Sequence, residues 1–294
     1  MSRPAWLVWI AAALLAVALA AAGWSLASAP HAASATGPAR LVSLSPPITE
    51  TLFAIGAADQ LVARSDWCAS PAAAKALPPV GSALEPKLEA IVALHPTLIL
   101  TEATLAGRTD QLTALAPTEV LPWLSLDDLV GSVHRLGELT GHQAQAAALA
   151  TTLHDRLGVT PPADAPRVLV LLGLDGLARG EVWYVKRSSL HGVAMHAAGM
   201  RNAVDQDVSG APNMSIEALL KADPDAIIAV LADATDPEVA RQRTRDALAA
   251  LPLRAVKAGA VGALAGPERF NTGPSVLDLA EGLRDELARL PVSR

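Results

Sequence analysis

Short apolar runs alternate with amphipathic segments along most of the chain. The run RLVSL at 40–44 predicts a buried strand, and LIL at 98–100 predicts another. Between them, KLEAIVAL at 87–94 places its apolar residues on one helical face, and His95-Pro96 ends that helix. Strands that alternate with helices predict a parallel sheet covered on both faces. The predicted fold class is therefore α/β.

The stretch 127–158 has a different pattern. Its apolar residues recur at helical spacing, and Gly137 and Gly141 weaken the pattern without a strong breaker. The strand and helix alternation then resumes with RVLVLLG at 167–173. These patterns predict a first α/β lobe over 40–126, one connecting helix over 127–158 and a second α/β lobe over 166–294.

One phrase occurs in both predicted lobes. LEAIVALHPTLIL at 88–100 and IEALLKADPDAII at 216–228 each contain an apolar residue, Glu-Ala, a helical run, a proline break and an apolar run. We interpret this repeat as two related α/β lobes joined by the connecting helix.

The stretch 40–57 (RLVSLSPPITETLFAIGA) predicts a strand, a tight turn and a helix. Two prolines supply no backbone donor, so Ser45-Pro46-Pro47 is expected to hold an extended turn. Gly56 suits the end of the helix. In open α/β sheets, ligands bind beyond the carboxyl ends of the strands, where this turn lies. A first βα unit that binds no ligand is the alternative interpretation.

The N-terminal residues 1–35 have the form of a secretory signal peptide, with Arg3, a long apolar run and Ala-Ser-Ala sites at 27–29 and 33–35. The apolar run is also long enough for an uncleaved membrane anchor. No cysteine lies near the cleavage sites, so the chain offers no attachment point for a lipid anchor. We therefore expect an exported protein in the periplasm.

The net charge of −6 argues against a nucleic-acid partner. Cys68 is the only cysteine, which excludes an intramolecular disulfide and leaves a buried thiol, a ligand or a reactive group as alternatives. The chain contains no Gly-x-Ser-x-Gly or His-Glu-x-x-His motif, and no nucleophile is paired with a base. We therefore expect no enzyme activity, no resident cofactor and no metal site of its own.

In the order and spacing of its motifs, the chain resembles the periplasmic substrate-binding proteins of ABC importers for cobalamin, haem and ferric siderophores. The similar segments are 40–57, 87–100, 188–204 and 215–230. The resemblance implies two Rossmann-like lobes with central parallel sheets, bridged by one long α-helix, with the ligand in the cleft between the lobes. It also implies an ABC permease and its ATPase at the inner membrane as partners, and we expect a monomer.

In the resembled family, one glutamate from each lobe pairs with arginines of the permease. Glu89 and Glu217 occupy these positions in the repeated phrase. Two carboxylates far apart on a rigid body would fix the orientation of docking. Alternatively, each glutamate only stabilises the first turn of its own helix through the helix dipole.

Loops that follow strands should line the cleft and so predict the ligand-binding residues. The candidates are Ser45, Pro46, Trp67, Cys68, Glu102, Trp123, Trp183, Tyr184, Asn213, Arg269 and Phe270. The aromatic candidates suit a large, flat, partly apolar ligand, although some of them could instead close the core. Arg269 could pair with a carboxylate of the ligand, and Tyr184, His191 and Cys68 are the candidates for an axial metal ligand.

These observations predict a periplasmic solute-binding component of an ABC importer that carries a metal chelate. A corrinoid such as cobalamin is the first candidate, and a ferric siderophore or haem comes next. Two alternatives stay open: an exported metal-handling chaperone or enzyme on the same scaffold, and a membrane-tethered interaction protein.

Overall fold

A computed structural model of the protein describes residues 39–103, 109–206 and 212–292. The predicted signal peptide lies outside the described residues. In the part of the chain that the structure describes, no helix is both long enough and apolar enough to cross a membrane.

The first sheet is parallel, with the strand order β2-β1-β3-β4. Its strands are β1 (Leu41–Ser43), β2 (Leu61–Arg64), β3 (Leu98–Glu102) and β4 (Thr118–Leu121). The helices between these strands are α1 (Pro46–Ala54), α2 (Leu88–Ala93) and α3 (Thr109–Thr113).

The second sheet is also parallel, with the order β10-β9-β5-β7. Its strands are β5 (Arg167–Leu172), β7 (Arg201–Asn202), β9 (Ala226–Leu231) and β10 (Val261–Ala265). An antiparallel pair, β6 (Glu181–Trp183) and β8 (Asn213–Ser215), accompanies it. The helices are α6 (Leu190–Ala197), α7 (Ile216–Ala222), α8 (Pro237–Leu248), α9 (Arg254–Lys257) and α10 (Val276–Arg289).

The two parallel sheets share one topology. In each, the first strand along the chain lies between the second and the third, and the fourth lies beyond the third. The repeated phrase occupies equivalent places, because α2 leads into β3 and α7 leads into β9. The predicted α/β fold class with two parallel sheets is confirmed.

The first helix begins earlier than the sequence predicts. Pro46 and Pro47 are the first two residues of α1, and Ser45 is its extended N-cap. The prediction of an extended Ser-Pro-Pro turn is therefore wrong. A proline is tolerated at this position because the first N–H groups of a helix have no intrahelical partner and the proline φ is already helical.

The predicted single helix over 127–158 is wrong in its continuity. The structure has α4 (Leu126–Thr140) and α5 (Gln143–Leu157), which pack side by side as a hairpin. Gly141 ends α4 in the left-handed region with a φ of 77°, a conformation that glycine adopts without a Cβ penalty. Gly137 permits the close packing, since a Cβ at this position would overlap the side chain of Ala146.

A continuous hydrophobic core connects both sheets through this helical hairpin. It includes Leu52 of α1, Leu136 of α4, Leu153 of α5 and Val170 of β5. α4 packs on α1, and α5 packs on α6 and α10. Residues 39–294 accordingly form one compact unit, and the division into lobes at 126 and 166 stays a prediction.

Candidate functional site

The carboxyl ends of β1 and β3 mark the point at which the strand order of the first sheet reverses. Ligands in open α/β sheets bind at this point. Two of the predicted site residues meet there, because the buried Ser45 hydroxyl donates a hydrogen bond to Oε1 of the half-buried Glu102. Burial raises the pKa of Glu102, and the hydrogen bond from Ser45 opposes that shift. The site where the strand order reverses therefore contains a carboxyl group, Glu102, whose protonation depends on how far it is buried.

Trp67 follows β2 and lines a cavity. Its side chain is 52% exposed, an unusual exposure for so large an apolar group. The cavity has a volume of about 310 Å³, and both predicted lobes contribute to its walls. The lining residues are Trp67, Ala69, Ser70, Ala72 and Lys75 on one side, and Pro267, Glu268 and Asn271 on the other. We name this space the cross-lobe cavity.

The sequence did not single out Lys75 as a site residue. It lies in a short 3₁₀ turn, Ala72–Ala76, that follows the loop of Trp67. Lys75 lines the same cavity as Glu268, so residues of both charge signs surround this space. The only signal in the sequence is a lone basic residue in an alanine run, which carries no information about a cavity.

The thiol of Cys68 is buried, and Cys68 is not among the residues that line the cross-lobe cavity. Its Sγ lies 3.3 Å from Ser65 Oγ and 3.9 Å from the carbonyl oxygen of Ser43. Burial raises the pKa of Cys68, which favours the neutral thiol over the metal-binding thiolate. Pro46 is half-buried in the first turn of α1.

On the second sheet, Tyr184 and His191 line a small cavity of about 100 Å³. Nε2 of His191 is buried and has no hydrogen-bond partner among the described residues. Burial lowers the pKa of His191, while the backbone of Arg269 and Phe270 opposes that shift. The lowered pKa of His191 favours the neutral imidazole, which is the form that binds metals. Burial also raises the pKa of Tyr184, which disfavours a tyrosinate ligand.

The other predicted residues of the second lobe lie outside the walls of the cross-lobe cavity. Trp183 pairs with Asn213 across the antiparallel strands, and the Asn213 amide lies 3.3 Å from Oε2 of Glu181. Arg269 donates from Nη1 to the carbonyl oxygen of Asp278 at 2.8 Å, which directs its guanidinium towards α10. Phe270 packs against the main core.

Two contacts join the first sheet to the loop that precedes α10. The buried Trp123 donates from Nε1 to the carbonyl oxygen of Thr272 at 2.9 Å. The carboxylate of Glu50 on α1 accepts hydrogen bonds from the backbone N–H and the hydroxyl of Ser275. The sequence did not identify Glu50 or Ser275, because 225 positions separate them and no local pattern reports such a contact.

Glu89 and Glu217 are both exposed, each in the first turn of its helix, α2 or α7. Each helix is followed along the chain by a parallel strand, and the C-terminus of the helix therefore lies near the amino end of that strand. The N-terminus of each helix therefore lies towards the carboxyl edge of its sheet, as the cross-lobe cavity does.

Within the described ranges, no group of three or more His, Cys, Asp or Glu residues is placed to hold a bare metal ion. Among the described residues, His191 has a buried ring nitrogen without a hydrogen-bond partner, and its ring lies near the backbone of Arg269 and Phe270. It could donate one ligand to a metal that arrives within a chelate.

Comparison with known proteins identifies the family. A family model described as periplasmic binding protein matches residues 41–265. A vitamin B12-binding protein of Pectobacterium atrosepticum is 32% identical over 203 residues, which cover 65% of this chain and 71% of that protein. A cobalamin-binding protein of Halobacterium salinarum is 30% identical over 213 residues, which cover 68% of this chain but only 56% of that longer protein.

Solved structures show the same fold. A periplasmic haem-binding protein from Pseudomonas aeruginosa matches with a TM-score of 0.67 at 24% identity, over 88% of this chain and 96% of that one. The family model spans most of the chain, both sheets included. The chain therefore belongs to the periplasmic binding protein family.

Proposed function

We propose that the protein captures a metal chelate between its lobes and delivers it to an ABC permease in the inner membrane, with a corrinoid as the first candidate. The observation that carries this proposal is the exposed Trp67 in the lining of the cross-lobe cavity. An exposed aromatic side chain offers a flat ligand a large contact area at little entropic cost.

Two further observations support a corrinoid. The relatives that share 30% identity or more with this chain over about two thirds of its length are named for vitamin B12 or cobalamin. The cavity also combines an apolar platform with Lys75 and Glu268, and a corrinoid has both an apolar ring face and charged or amide side groups.

His191 favours haem or a ferric siderophore as the second candidate. Its neutral imidazole has an unpartnered Nε2, and neutral imidazole is a common axial ligand of haem iron. In this case the metal would be bound from the second lobe. Coordination of haem iron by His191 would change the absorption spectrum of added haemin, and replacement of His191 by alanine would then remove that change.

The test of ligand class is a titration of the mature protein with cyanocobalamin, haemin and ferric siderophores, followed by tryptophan fluorescence and absorption. We expect saturable submicromolar quenching by cyanocobalamin and at least tenfold weaker binding by Trp67→Ala. Val159→Ala is the control, because Val159 is 44% exposed and lies in the linker after α5. Equal affinities for wild type and Trp67→Ala would contradict the proposed platform.

For docking, we propose that Glu89 and Glu217 pair with basic residues of the permease. Their exposure and their equivalent places in the repeat support this role. Charge reversal of both residues should abolish transport without changing ligand affinity. The control reverses Glu138 and Asp155, two exposed acidic residues of the α4–α5 hairpin. Unchanged transport by the Glu89→Lys/Glu217→Lys protein would show that the two glutamates only stabilise their own helices and do not contact the permease.

A further inference from the structure

The two helices that carry the proposed docking glutamates also expose large aliphatic side chains. Val92 of α2 is 48% exposed, and Leu220 of α7 is 37% exposed. Val92 follows Glu89 by three positions, and Leu220 follows Glu217 by three positions. Residues three apart on a helix share one face, so each helix presents a carboxylate beside an aliphatic group.

The structure repeats this arrangement in both lobes. Ile91 and Leu219 hold equivalent places in the repeated phrase, and both are fully buried, which fixes the rotation of each helix about its axis. Both helices are followed by a residue other than glycine with positive φ, namely His95 at 46° and Asp223 at 34°. The two backbones therefore leave their helices alike, and the same face is turned outward in each lobe.

A single exposed aliphatic residue on a protein surface needs no explanation. Here the exposed aliphatic residue recurs at the same offset from a glutamate in both halves of an internal repeat. The next position on the same face, Ala93, is also exposed in the first lobe. In protein–protein interfaces, apolar side chains beside an ion pair exclude water from it, and an aliphatic group beside a carboxylate fits this pattern.

We propose that Val92 and Leu220 are contact residues for the permease and that each fills an apolar recess beside the basic group that receives the neighbouring glutamate. This inference rests on the proposed docking role of Glu89 and Glu217. The permease is the occupant because Val92 and Leu220 share a helix face with the proposed docking glutamates, and the exposed carboxylates of Glu89 and Glu217 are complementary in charge to a basic partner. Water exclusion by the aliphatic side chain strengthens the ion pair, since charges interact more strongly at low dielectric constant.

The test uses the full mature protein and ABC permease–ATPase complexes of the metal-chelate type from the source organism, each purified separately in lipid nanodiscs. Binding of wild type, Val92→Ser/Leu220→Ser and Glu89→Lys/Glu217→Lys is measured by interferometry. The matched control is Val159→Ser/Val239→Ser, because these valines are 44% and 53% exposed and lie outside α2 and α7. Thermal unfolding and ligand titration check that each variant is folded and active.

We expect at least a tenfold loss of affinity for Val92→Ser/Leu220→Ser, mainly through faster dissociation, and less than a twofold change for the control. If Val92→Ser/Leu220→Ser binds like wild type while Glu89→Lys/Glu217→Lys does not bind, the inference is wrong and the proposed docking role stands. If wild type binds no complex, both are wrong. If wild type is a dimer that Val92→Ser/Leu220→Ser dissociates, the face joins two copies of this chain and the inference is overturned.

Discussion

The carboxylate of Glu50 accepts hydrogen bonds from both the backbone N–H and the hydroxyl of Ser275, and so joins α1 to the start of α10. The hydroxyl contact is 2.9 Å long, and the side chain of Glu50 is buried. A buried carboxylate is costly unless its oxygens are satisfied. Ser275 supplies two of the donors, so this contact ties the two predicted lobes together.

This relationship makes stability depend on pH. Burial raises the pKa of Glu50 above its usual value of 4.5, the hydrogen bonds from Ser275 oppose that shift, and Asp278 adds repulsion. The folded state therefore holds this proton more tightly than the unfolded chain does. The contribution of Glu50 to stability falls as the pH rises from 4.5 through the raised pKa.

We predict that Glu50→Gln becomes more favourable, relative to wild type, as the pH rises. Glutamine keeps an oxygen for the Ser275 N–H and does not ionise. The measurement is guanidinium unfolding of both proteins at pH 4.5 and pH 7.5. A difference in the free energy of unfolding that is the same at both pH values would show that Glu50 titrates normally.

Trp123 provides the second tie between the lobes. Trp123→Phe keeps most of the buried ring but removes the donor to Thr272, so that the Thr272 carbonyl loses a partner. We expect a loss of about 1 kcal/mol in the free energy of unfolding, measured by chemical denaturation. Leu124→Ala is the neighbouring control, because Leu124 is 63% exposed. An equal change in the free energy of unfolding of both variants would show that the hydrogen bond from the Trp123 indole N–H does not contribute to stability.

Gly273 lies close to Glu50 and to the backbone of Pro47. A Cβ at this position would lie 2.7 Å from Oε2 of Glu50 and 3.0 Å from the Cα of Pro47. Gly273→Ala should therefore separate the lobes slightly, lower the unfolding midpoint and weaken ligand binding.

A double-mutant cycle separates the two clashes at Gly273. If the Glu50 carboxylate is the main obstacle, Gly273→Ala should cost less in a Glu50→Ala background than in wild type. An additive cycle would instead assign the cost to the backbone of Pro47, which cannot move aside.

The fold class could be predicted from the sequence because it follows from local patterns. Each strand and helix has its own periodicity, and the repeat of 88–100 in 216–228 indicated two related units. The structure gives both units one strand order. Ser45 and Glu102 could be nominated for the same reason, since both follow directly from the ends of strands.

The direction of side chains in the loops could not be predicted. Arg269 was nominated as a ligand-binding residue from its position in a loop, and nothing in the sequence indicated that its guanidinium donates to the Asp278 carbonyl on α10. The Glu50 and Trp123 contacts also depend on residues far away in the sequence. Such contacts arise from the packing of complete elements, and the local periodicity of either partner carries no trace of them.

The break between α4 and α5 was missed for a related reason. A glycine in a helical pattern can be an interior residue or a C-cap, and only the packing of the following segment decides between the two. Here Gly137 lies inside α4 against Ala146, and Gly141 ends the helix with a φ of 77°.

Gly141 therefore provides a test of the hairpin. We predict that Gly141→Ala lowers the free energy of unfolding by about 1 kcal/mol, because an L-residue is strained in the left-handed region. Gly131→Ala is the control, since Gly131 lies inside the exposed part of α4 with nothing within 4 Å of a new Cβ. Alanine is the better helix former there, so the control should gain stability. If Gly141→Ala instead gained stability as Gly131→Ala does, residues 126–157 would form one continuous helix in solution, and the hairpin would be refuted.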